Sequence, residues 1–186
     1  MEPLLSGRAR RLRLEMVASL AHGDVLDIGC GHTQLPDKLS GVTSYTGIDI
    51  SEKAVAYGRR TYPHYTFRRL NLDSDPMPSF ESQFDTVVMT AVLEHLHQPS
   101  QVIRAIRPLL KDDGLLLVTT PTPLGDFAHQ IGSRIRLFYT EAIVGHVKIF
   151  SQNELRQLLS DAGYEIERYQ RFVFGLNHFV VCRPMA

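Results

Sequence analysis

The segment Val25-Leu-Asp-Ile-Gly-Cys-Gly31 places an apolar strand directly before two closely spaced glycines and a helix-compatible stretch. Glycine adopts positive φ at no steric cost and lets a ligand approach the main chain, so Gly29 and Gly31 predict a tight, ligand-facing loop. A second apolar run, 45–50, contains Asp49, which is placed to accept hydrogen bonds from both hydroxyls of a ribose. The two segments together predict a site for a nucleoside cofactor.

Apolar strand-like runs alternate with helical patterns along most of the chain. This alternation predicts a parallel sheet with helices on both faces. Near the C-terminus, Ser151 and Glu154 match a capping box for a helix that Gly163 ends, and two further runs joined by 175–177 predict an antiparallel hairpin. The fold class is therefore α/β, with a seven-stranded, mostly parallel sheet and an antiparallel C-terminal hairpin. The predicted strands are 24–28, 44–49, 65–70, 84–90, 114–119, 164–174 and 178–183, and the predicted helices are 4–20, 34–39, 52–61, 100–110 and 151–162.

Length and charge limit the class of partner. A chain of 186 residues suits one domain, which we expect to span 1–186. The chain has 20 basic residues (Lys and Arg) and 20 acidic residues (Asp and Glu). Because there is no excess of basic residues and no interleaving of basic with aromatic residues, we expect no nucleic-acid partner. Two cysteines suggest no disulfide framework, and no run approaches the roughly 20 apolar residues of a bilayer span. We therefore expect a cytoplasmic protein without integral membrane association, and the sequence leaves its oligomeric state open.

Two segments carry charge or apolar patterning outside the predicted sheet. Four arginines crowd 8–13, where a solvated helix face is favoured over a site that meets an anion. The segment 121–148 is too long for a plain connection and is expected to form a substrate lid. Phe127, Ile131 and Ile135 predict a helical apolar face there, with core packing as the alternative. Arg134 and Arg136 beside that face could meet an anionic group of an amphiphilic acceptor, or could be ordinary exposed arginines.

Two adenosine cofactors compete for the glycine loop, a dinucleotide such as NAD and the sulfonium compound S-adenosylmethionine. The dinucleotide fingerprint requires a third glycine where Gln34 stands, so that a pyrophosphate can meet the helix N-terminus. Asp27, two residues before Gly29, would repel a pyrophosphate and attract a cationic amino acid. These residues favour S-adenosylmethionine, and an NAD-linked oxidoreductase is the alternative.

Five motifs in order resemble the class I S-adenosylmethionine-dependent methyltransferases, in their small-molecule branch. The resemblance begins at 25–31 and continues through Asp49, which matches the ribose-binding acid, and Asp73, which matches the acid that faces the adenine amino group. The stretches 84–96 and 109–115 resemble the fourth and fifth motifs, and 146–151 with the following helix resembles the C-terminal half of the O-methyltransferases. Thr33 and Asp113 stand where the family commonly has glycine.

The resemblance implies a single Rossmann-like sheet, S-adenosylmethionine as cofactor and direct methyl transfer to a small-molecule acceptor. It implies that a substrate oxygen, nitrogen or carbon attacks the methyl group, and a hydroxyl oxygen in a polysaccharide or quinone-like pathway is the favoured acceptor. A module that binds the cofactor without transfer is the alternative, because Thr33 and Asp113 depart from the pattern. The implied cofactor-binding residues are Asp27, Gly29, Cys30, Gly31, Asp49, Ile50, Leu72, Asp73 and Thr90.

Two histidines are the candidate general bases for a hydroxyl acceptor. His95 follows the fourth predicted strand at the edge where open α/β sheets bind ligands, and the resemblance places His146 near the transfer site; capping or packing is the alternative for both. Some relatives hold a divalent metal with a Glu-x-x-Glu-His pattern, but Ala91 replaces the first carboxylate before Glu94, so no required metal is expected. The histidines predicted as surface or packing residues are His22, His32, His64, His97, His129 and His178.

Overall fold

The computed structural model describes residues 4–127 and 147–185, and within them a seven-stranded sheet carries the fold. The strands lie in the order β3-β2-β1-β4-β5-β7-β6. The first five strands pair in parallel, and β7 is antiparallel to both β5 and β6, which confirms the predicted mixed sheet. The strands are β1 (Gly23–Ile28), β2 (Val42–Asp49), β3 (Thr66–Arg69), β4 (Phe84–Thr90), β5 (Leu110–Pro121), β6 (Tyr164–Phe172) and β7 (Asn177–Pro184).

Helices cover both faces of the sheet. The capping box is confirmed at the start of the last helix, because Ser151 Oγ accepts from the Glu154 main-chain N–H and Glu154 Oε2 accepts from the Ser151 main-chain N–H. Residues 123–127 are also helical and lead up to the undescribed segment. The α-helices are α1 (Leu4–Ala18), α2 (Glu52–Thr61), α3 (Pro99–Ile106) and α4 (Gln152–Asp161).

Two sequence predictions require correction. The helix predicted at 34–39 is only a 3₁₀ turn at Pro36–Lys38, because the proline has no main-chain N–H to donate within a helix and the backbone becomes extended again at Leu39. Strand β5 begins at Leu110 rather than at Gly114, since Leu110 already pairs with Phe84 and a register irregularity after Phe84 accommodates the polar residues between them.

The core lies in two layers, one on each face of the sheet. One layer packs β-strand side chains against α3 and α4, through Ile103 and Leu155, and the other packs them against α1 and α2, through Val17 and Val55. Val87, Val88 and Met89 of the central strand β4 are fully buried, as predicted for a strand covered on both faces. Among the described helices, none combines the length and hydropathy needed to cross a bilayer.

The topology brings six chain segments to one edge of the sheet. The parallel strands β1 to β5 all end at this carboxyl edge. Because β7 runs antiparallel to β5, its first residue, Asn177, pairs with the last residue of β5, Pro121, at the same edge. Open α/β sheets bind ligands at this edge, so residues from both ends of the chain are placed to contribute.

Candidate cofactor and acceptor site

The glycine loop after β1 has the geometry that the sequence predicted. Gly29 and Gly31 adopt φ values of 71° and 55°, in the left-handed region that favours glycine. A Cβ at Gly29 would lie 2.3 Å from Val92 Cγ2, whereas a Cβ at Gly31 would meet no atom within 4 Å. The main chain at Gly29 therefore packs against the loop after β4, and the main chain at Gly31 faces open space.

Asp49 at the end of β2 anchors this loop. Its Oδ2 accepts a hydrogen bond from the Gly31 N–H at 2.7 Å, and its Oδ1 accepts one from the Ser51 N–H at 2.8 Å. Each carboxylate oxygen has a second lone pair, so Asp49 can still accept hydrogen bonds from a ligand. The carboxylate thus fixes the loop and faces the adjoining cavity at the same time.

Two cavities meet at the carboxyl edge of the sheet. The first, which we name the nucleoside cavity, has a volume of about 250 Å³ and lies over the ends of β2 and β3. The second, which we name the transfer cavity, has a volume of about 480 Å³ and lies between α1, the glycine loop and the ends of β4 and β5. Gly29, Ala91 and His95 line both. The predicted site residues that line the nucleoside cavity are Gly29, Asp49, Ile50, Leu72, Asp73 and His95, and those that line the transfer cavity are Gly29, Cys30, Gly31, Thr90 and His95.

The turn that follows β4 presents His95 at the junction of the two cavities. Ala91 begins this turn with a φ of 56°, which is uncommon for a residue with a Cβ, and its N–H donates to the Thr119 carbonyl at 2.9 Å. His95 is exposed at the end of a 3₁₀ turn, Leu93–His95. The structure therefore places the first candidate base at the junction of the two cavities, and its catalytic role stays a prediction.

Glu94 in the same turn is buried and holds neighbouring segments together. Its Oε2 accepts a hydrogen bond from Thr120 Oγ1 at 3.0 Å, and its main-chain carbonyl accepts from the N–H groups of Val147 and Lys148 at 2.8 and 3.2 Å. Burial raises the pKa of Glu94, although the positive charge of nearby Arg13 opposes that shift. The side chain is already engaged inside the protein, and the chain that re-enters the described region at Val147 is attached beside His95.

Arg13 of α1 lines the transfer cavity with an unsatisfied donor. Within residues 4–127 and 147–185, its buried Nε has no hydrogen-bond partner. Burial lowers the pKa of Arg13, and the repulsion from Arg10 adds to this, while Glu94 acts in the opposite direction. A guanidinium remains charged at neutral pH, so the cavity wall offers a partly desolvated cation to an anionic group.

The four clustered arginines divide into two pairs. Arg10 and Arg13 line the transfer cavity, and Arg10 Nη2 donates to the His32 carbonyl at 2.8 Å. Arg8 is exposed, and Arg11 Nε lies 3.2 Å from Glu15 Oε1 on the solvent face. The predicted solvated face therefore fits Arg8 and Arg11, and Arg10 is also exposed although it borders the cavity, whereas Arg13, with its buried Nε, does not fit.

Asp27 lies beneath the glycine loop and lines neither cavity. Its side chain is buried, its Oδ2 accepts a hydrogen bond from the Tyr45 hydroxyl at 2.5 Å, and its Oδ1 has no partner among the described residues. Burial raises the pKa of Asp27 to about 7, with a smaller contribution from Asp49 and an opposing one from the Tyr45 hydrogen bond. Direct contact between Asp27 and a cofactor remains a prediction.

Some predicted features lie outside the described residues or receive no direct test. His146, Ile131, Ile135, Arg134 and Arg136 all fall within 128–146, which the structure does not describe. In the rest of the chain, no group of three or more His, Cys, Asp or Glu side chains is arranged to hold a metal ion. The expectation that no metal is required stays a prediction.

Asn177 is a site residue that sequence reasoning missed. It is buried at the start of β7 and lines the transfer cavity beside Pro121. Its side-chain amide carries both a donor and an acceptor that suit polar groups of a ligand in that cavity. No local motif marks it, because its place depends on the antiparallel pairing of β7 with β5.

Comparison with known proteins decides the family. The model of a family described as a methyltransferase domain matches residues 4–169. The chain belongs to the S-adenosylmethionine-dependent methyltransferases. This confirms the family predicted from the motifs, and it confirms S-adenosylmethionine rather than NAD as the cofactor.

Individual methyltransferase relatives differ in how much of their length the chain matches. A protein of Mycolicibacterium smegmatis, named a probable S-adenosylmethionine-dependent methyltransferase, is 32% identical over 145 residues, which cover 77% of this chain and 52% of that protein. A ubiquinone biosynthesis O-methyltransferase of Thiobacillus denitrificans is 27% identical over 186 residues, covering 89% of this chain and 75% of that protein. The chain thus spans about half the length of the mycobacterial relative.

The fold of this methyltransferase is also found in solved structures. An S-adenosylmethionine-dependent methyltransferase from Mesorhizobium loti superimposes with a TM-score of 0.72 at 17% sequence identity. The match covers 96% of this chain and 99% of that one. The Rossmann-like, seven-stranded sheet predicted from the sequence is confirmed.

Proposed function

We propose that this protein transfers the methyl group of S-adenosylmethionine to a hydroxyl oxygen of a small-molecule acceptor. One observation carries the proposal: two cavities of different character meet at Gly29, Ala91 and His95. One cavity has the carboxylates and apolar side chains that suit a nucleoside, and the other has a cation, a neutral amide and a histidine. The shared residues mark the place where the methyl group would pass from donor to acceptor.

The residues present suit the cofactor. In the nucleoside cavity, Asp49 is placed to bind the ribose hydroxyls, Asp73 the adenine amino group, and Ile50 and Leu72 the apolar faces of the base. In the transfer cavity, the unpaired Nε of Arg13 suits the carboxylate of the methionine moiety. When bound, S-adenosylmethionine supplies a methyl group made electrophilic by a positively charged sulfur. A charged ligand would supply hydrogen-bond partners to desolvated, unpaired polar groups in the cavity wall.

His95 is the proposed general base. It lies at the junction of the cavities, and a neutral imidazole can take the proton from an acceptor hydroxyl as the oxygen attacks the methyl carbon. The turn that carries it is fixed by the Ala91 bond to Thr119 and by the Val147 bond to Glu94. Holding the methyl donor and the acceptor in line is worth roughly 7 to 11 kcal/mol, so alignment of the two reactants is expected to contribute more to the rate than the base does.

The acceptor side of the transfer cavity favours a hydroxylated molecule. Asn177 offers one donor and one acceptor to polar groups beside the reacting hydroxyl. The name of the Thiobacillus denitrificans relative, a ubiquinone biosynthesis O-methyltransferase, supports a quinone-like phenol as the first class to examine. Hydroxylated sugars of polysaccharide pathways are the second class.

Binding and transfer can be tested separately. Isothermal titration with S-adenosylmethionine, S-adenosylhomocysteine and NADH should give binding of the first two only. A transfer assay with methyl-labelled cofactor against catechols, hydroxybenzoates and free sugars should then give a labelled, alkali-stable ether. Binding without transfer to any of these acceptors would instead favour a cofactor-binding module. Transfer that is lost with a chelator and restored by Mg²⁺ would contradict the predicted absence of a required metal.

Replacement of His95 tests the proposed base. The variant His95→Ala should lower kcat by about a hundredfold or more with the best acceptor from that assay, because general base catalysis typically contributes 10²- to 10⁴-fold. Its affinity for S-adenosylhomocysteine should change little, as the imidazole acts on the acceptor. His64→Ala, which removes another exposed histidine, is the matched control. An unchanged kcat in His95→Ala would eliminate this residue as the base.

A further inference from the structure

His97 holds the carboxylate that borders the nucleoside cavity. The main-chain N–H of His97 donates to Asp73 Oδ1 at 3.0 Å, and its Nδ1 lies 3.1 Å from Asp73 Oδ2. One residue thus engages both oxygens of a single carboxylate. Asp73 lines the nucleoside cavity and His97 does not, so any effect of His97 on a nucleoside acts through Asp73.

The contact comes from a segment far along the chain from Asp73. Asp73 lies in the loop after β3, where its N–H donates to Asn71 Oδ1 at 3.1 Å, and His97 lies between the His95 turn and α3. The His97 side chain is 71% exposed and that of Asp73 is 27% exposed. An exposed pair contributes little to stability, so the geometric effect of the contact, which fixes the direction of the carboxylate, is the more informative one.

The protonation of Asp73 is set by the same contact. Partial burial alone would raise the pKa of Asp73, but the hydrogen bonds from the His97 side chain and main chain outweigh burial and hold that pKa below its ordinary value. Asp73 therefore stays ionised and acts only as a hydrogen-bond acceptor near neutral pH. A carboxylate in this state accepts from an amino group and repels a carbonyl oxygen.

We propose that His97 is a positioning residue that fixes the Asp73 carboxylate for the 6-amino group of adenine and thereby determines selection against 6-oxopurine nucleosides. The inference rests on the proposed cofactor role of Asp73. An adenine amino group donates to a carboxylate oxygen, whereas the 6-oxo group of hypoxanthine places an acceptor against an acceptor. Selection of this kind depends on the direction of the carboxylate, which the imidazole fixes at Oδ2 together with main-chain N–H groups of His97 and Gln98.

The test measures the affinities for S-adenosylhomocysteine and S-inosylhomocysteine by titration calorimetry. The wild-type protein should bind the adenosine compound about 10- to 100-fold more tightly, as expected for one hydrogen bond to a charged group. The variant His97→Ala keeps the main-chain N–H and removes only the ring contact. It should reduce the preference about three- to tenfold, mainly by weakening S-adenosylhomocysteine binding.

Two further variants separate positioning from a general structural effect. His97→Asn returns a donor close to the position of Nδ1 and should restore most of the preference. Asp73→Asn provides an amide that can donate to a 6-oxo group and should bring the two affinities close together or reverse them. His64→Ala, another exposed histidine, should leave the preference unchanged.

The other possible results of these titrations would each contradict one specific claim about His97, Asp73 or cofactor binding. An unchanged preference in His97→Ala, or an equal loss of affinity for both compounds, would overturn the positioning role of His97. Equal binding of both compounds by the wild-type protein would overturn the adenine role of Asp73 and the inference with it, while cofactor binding would stand. A wild-type protein that binds neither compound would overturn the proposed function itself.

Discussion

The amino and carboxyl edges of the central sheet differ in whether their charged and polar side chains have partners within the protein. At the amino edge, Lys111 Nζ lies 2.8 Å from Asp85 Oδ1 and 3.9 Å from Asp24 Oδ2. The other oxygens of these carboxylates accept from the Asp24 main-chain N–H and from Ser44 Oγ, both at 2.7 Å. Every charge in this cluster therefore has a partner within the protein, as in most folded structures.

The carboxyl edge leaves polar groups without partners. Among the described residues, three atoms near this edge are buried without a hydrogen bond: Asp27 Oδ1, Thr119 Oγ1 and Arg13 Nε. A buried unpaired polar group lowers the free energy of unfolding by about 1 to 3 kcal/mol. Unpaired buried polar groups at the carboxyl edge and fully paired charges at the amino edge indicate that the carboxyl edge is shaped for a ligand.

The largest expected effect is the pH dependence that Asp27 gives to stability. Burial raises its pKa from 3.8 to about 7, so the folded state binds a proton that the unfolded chain has released. The associated stability is fully present below the unfolded pKa and is lost as pH rises through the folded pKa, by on the order of 4 kcal/mol in total. Urea unfolding of Asp27→Asn from pH 4.5 to 8 should lack this loss.

A second variant, at Tyr45, tests whether the pKa of Asp27 can be raised further. The Tyr45 hydrogen bond lowers the pKa of Asp27, so Tyr45→Phe should extend the loss of stability to higher pH. Unfolding profiles of wild type and Asp27→Asn that run parallel over this pH range would show that Asp27 is not a buried acid of raised pKa.

The second expected effect concerns Asp49, with Asp85 as the matched carboxylate at the opposite edge. Asp49→Asn should weaken S-adenosylhomocysteine binding by about 100-fold, because it removes charge-assisted acceptors for the ribose and loosens the Gly31 N–H contact. Asp85→Asn should leave that affinity unchanged and lower only stability. Calorimetric titration and urea unfolding of both variants make the comparison, and equal affinity losses would remove the distinction between the edges.

The third expected effect separates the two pairs of arginines on α1. Arg13→Met should weaken S-adenosylhomocysteine binding about 10-fold or more and leave 5′-methylthioadenosine binding unchanged, because only the first ligand carries a carboxylate for Arg13. Arg11→Met, on the solvent face of the same helix, should change neither affinity. A loss for both ligands in Arg13→Met would point to a disturbed helix rather than to a lost ionic contact.

The smallest expected effect is at Lys111. This side chain and that of its partner Asp85 are 38% and 22% exposed, so Lys111→Met should lower the free energy of unfolding only slightly, as measured by urea unfolding. Affinity for S-adenosylhomocysteine should stay at the wild-type value. A clear loss of affinity would show that the amino edge influences the site across the length of the strands.

The nucleoside side of the site could be predicted because its residues follow strand ends directly. Gly29, Asp49 and Asp73 each come within a few residues of an apolar run, so local pattern fixes both the strand and the residue that leaves it. The helix predicted at 34–39 is wrong because Pro36 supplies no main-chain N–H and the backbone is extended from Leu39, so only one 3₁₀ turn forms at Pro36–Lys38.

The acceptor side could be predicted only in part, because distant segments assemble it. One face of α1 carries Arg10, Arg13 and Val17, and the opposite face carries Arg8, Arg11 and Glu15. Helical spacing therefore indicates which two arginines lie on the same side as the buried Val17, although the charge of the cluster alone does not. Asn177 offered no such signal, since its position follows from the pairing of β7 with β5. His97 was predicted as a surface residue, which its exposure supports, but its contact with Asp73 requires the folded loop.

The antiparallel course of β7 has a consequence for how such an enzyme can diversify. The residues assigned to the nucleoside lie in the first hundred positions, while Asn177 enters the same site from a hairpin near the C-terminus. A change in the hairpin would therefore alter the lining of the transfer cavity while the residues of the nucleoside cavity keep their sequence. We accordingly expect that grafting the last two strands from one relative onto another changes acceptor preference and leaves cofactor binding intact.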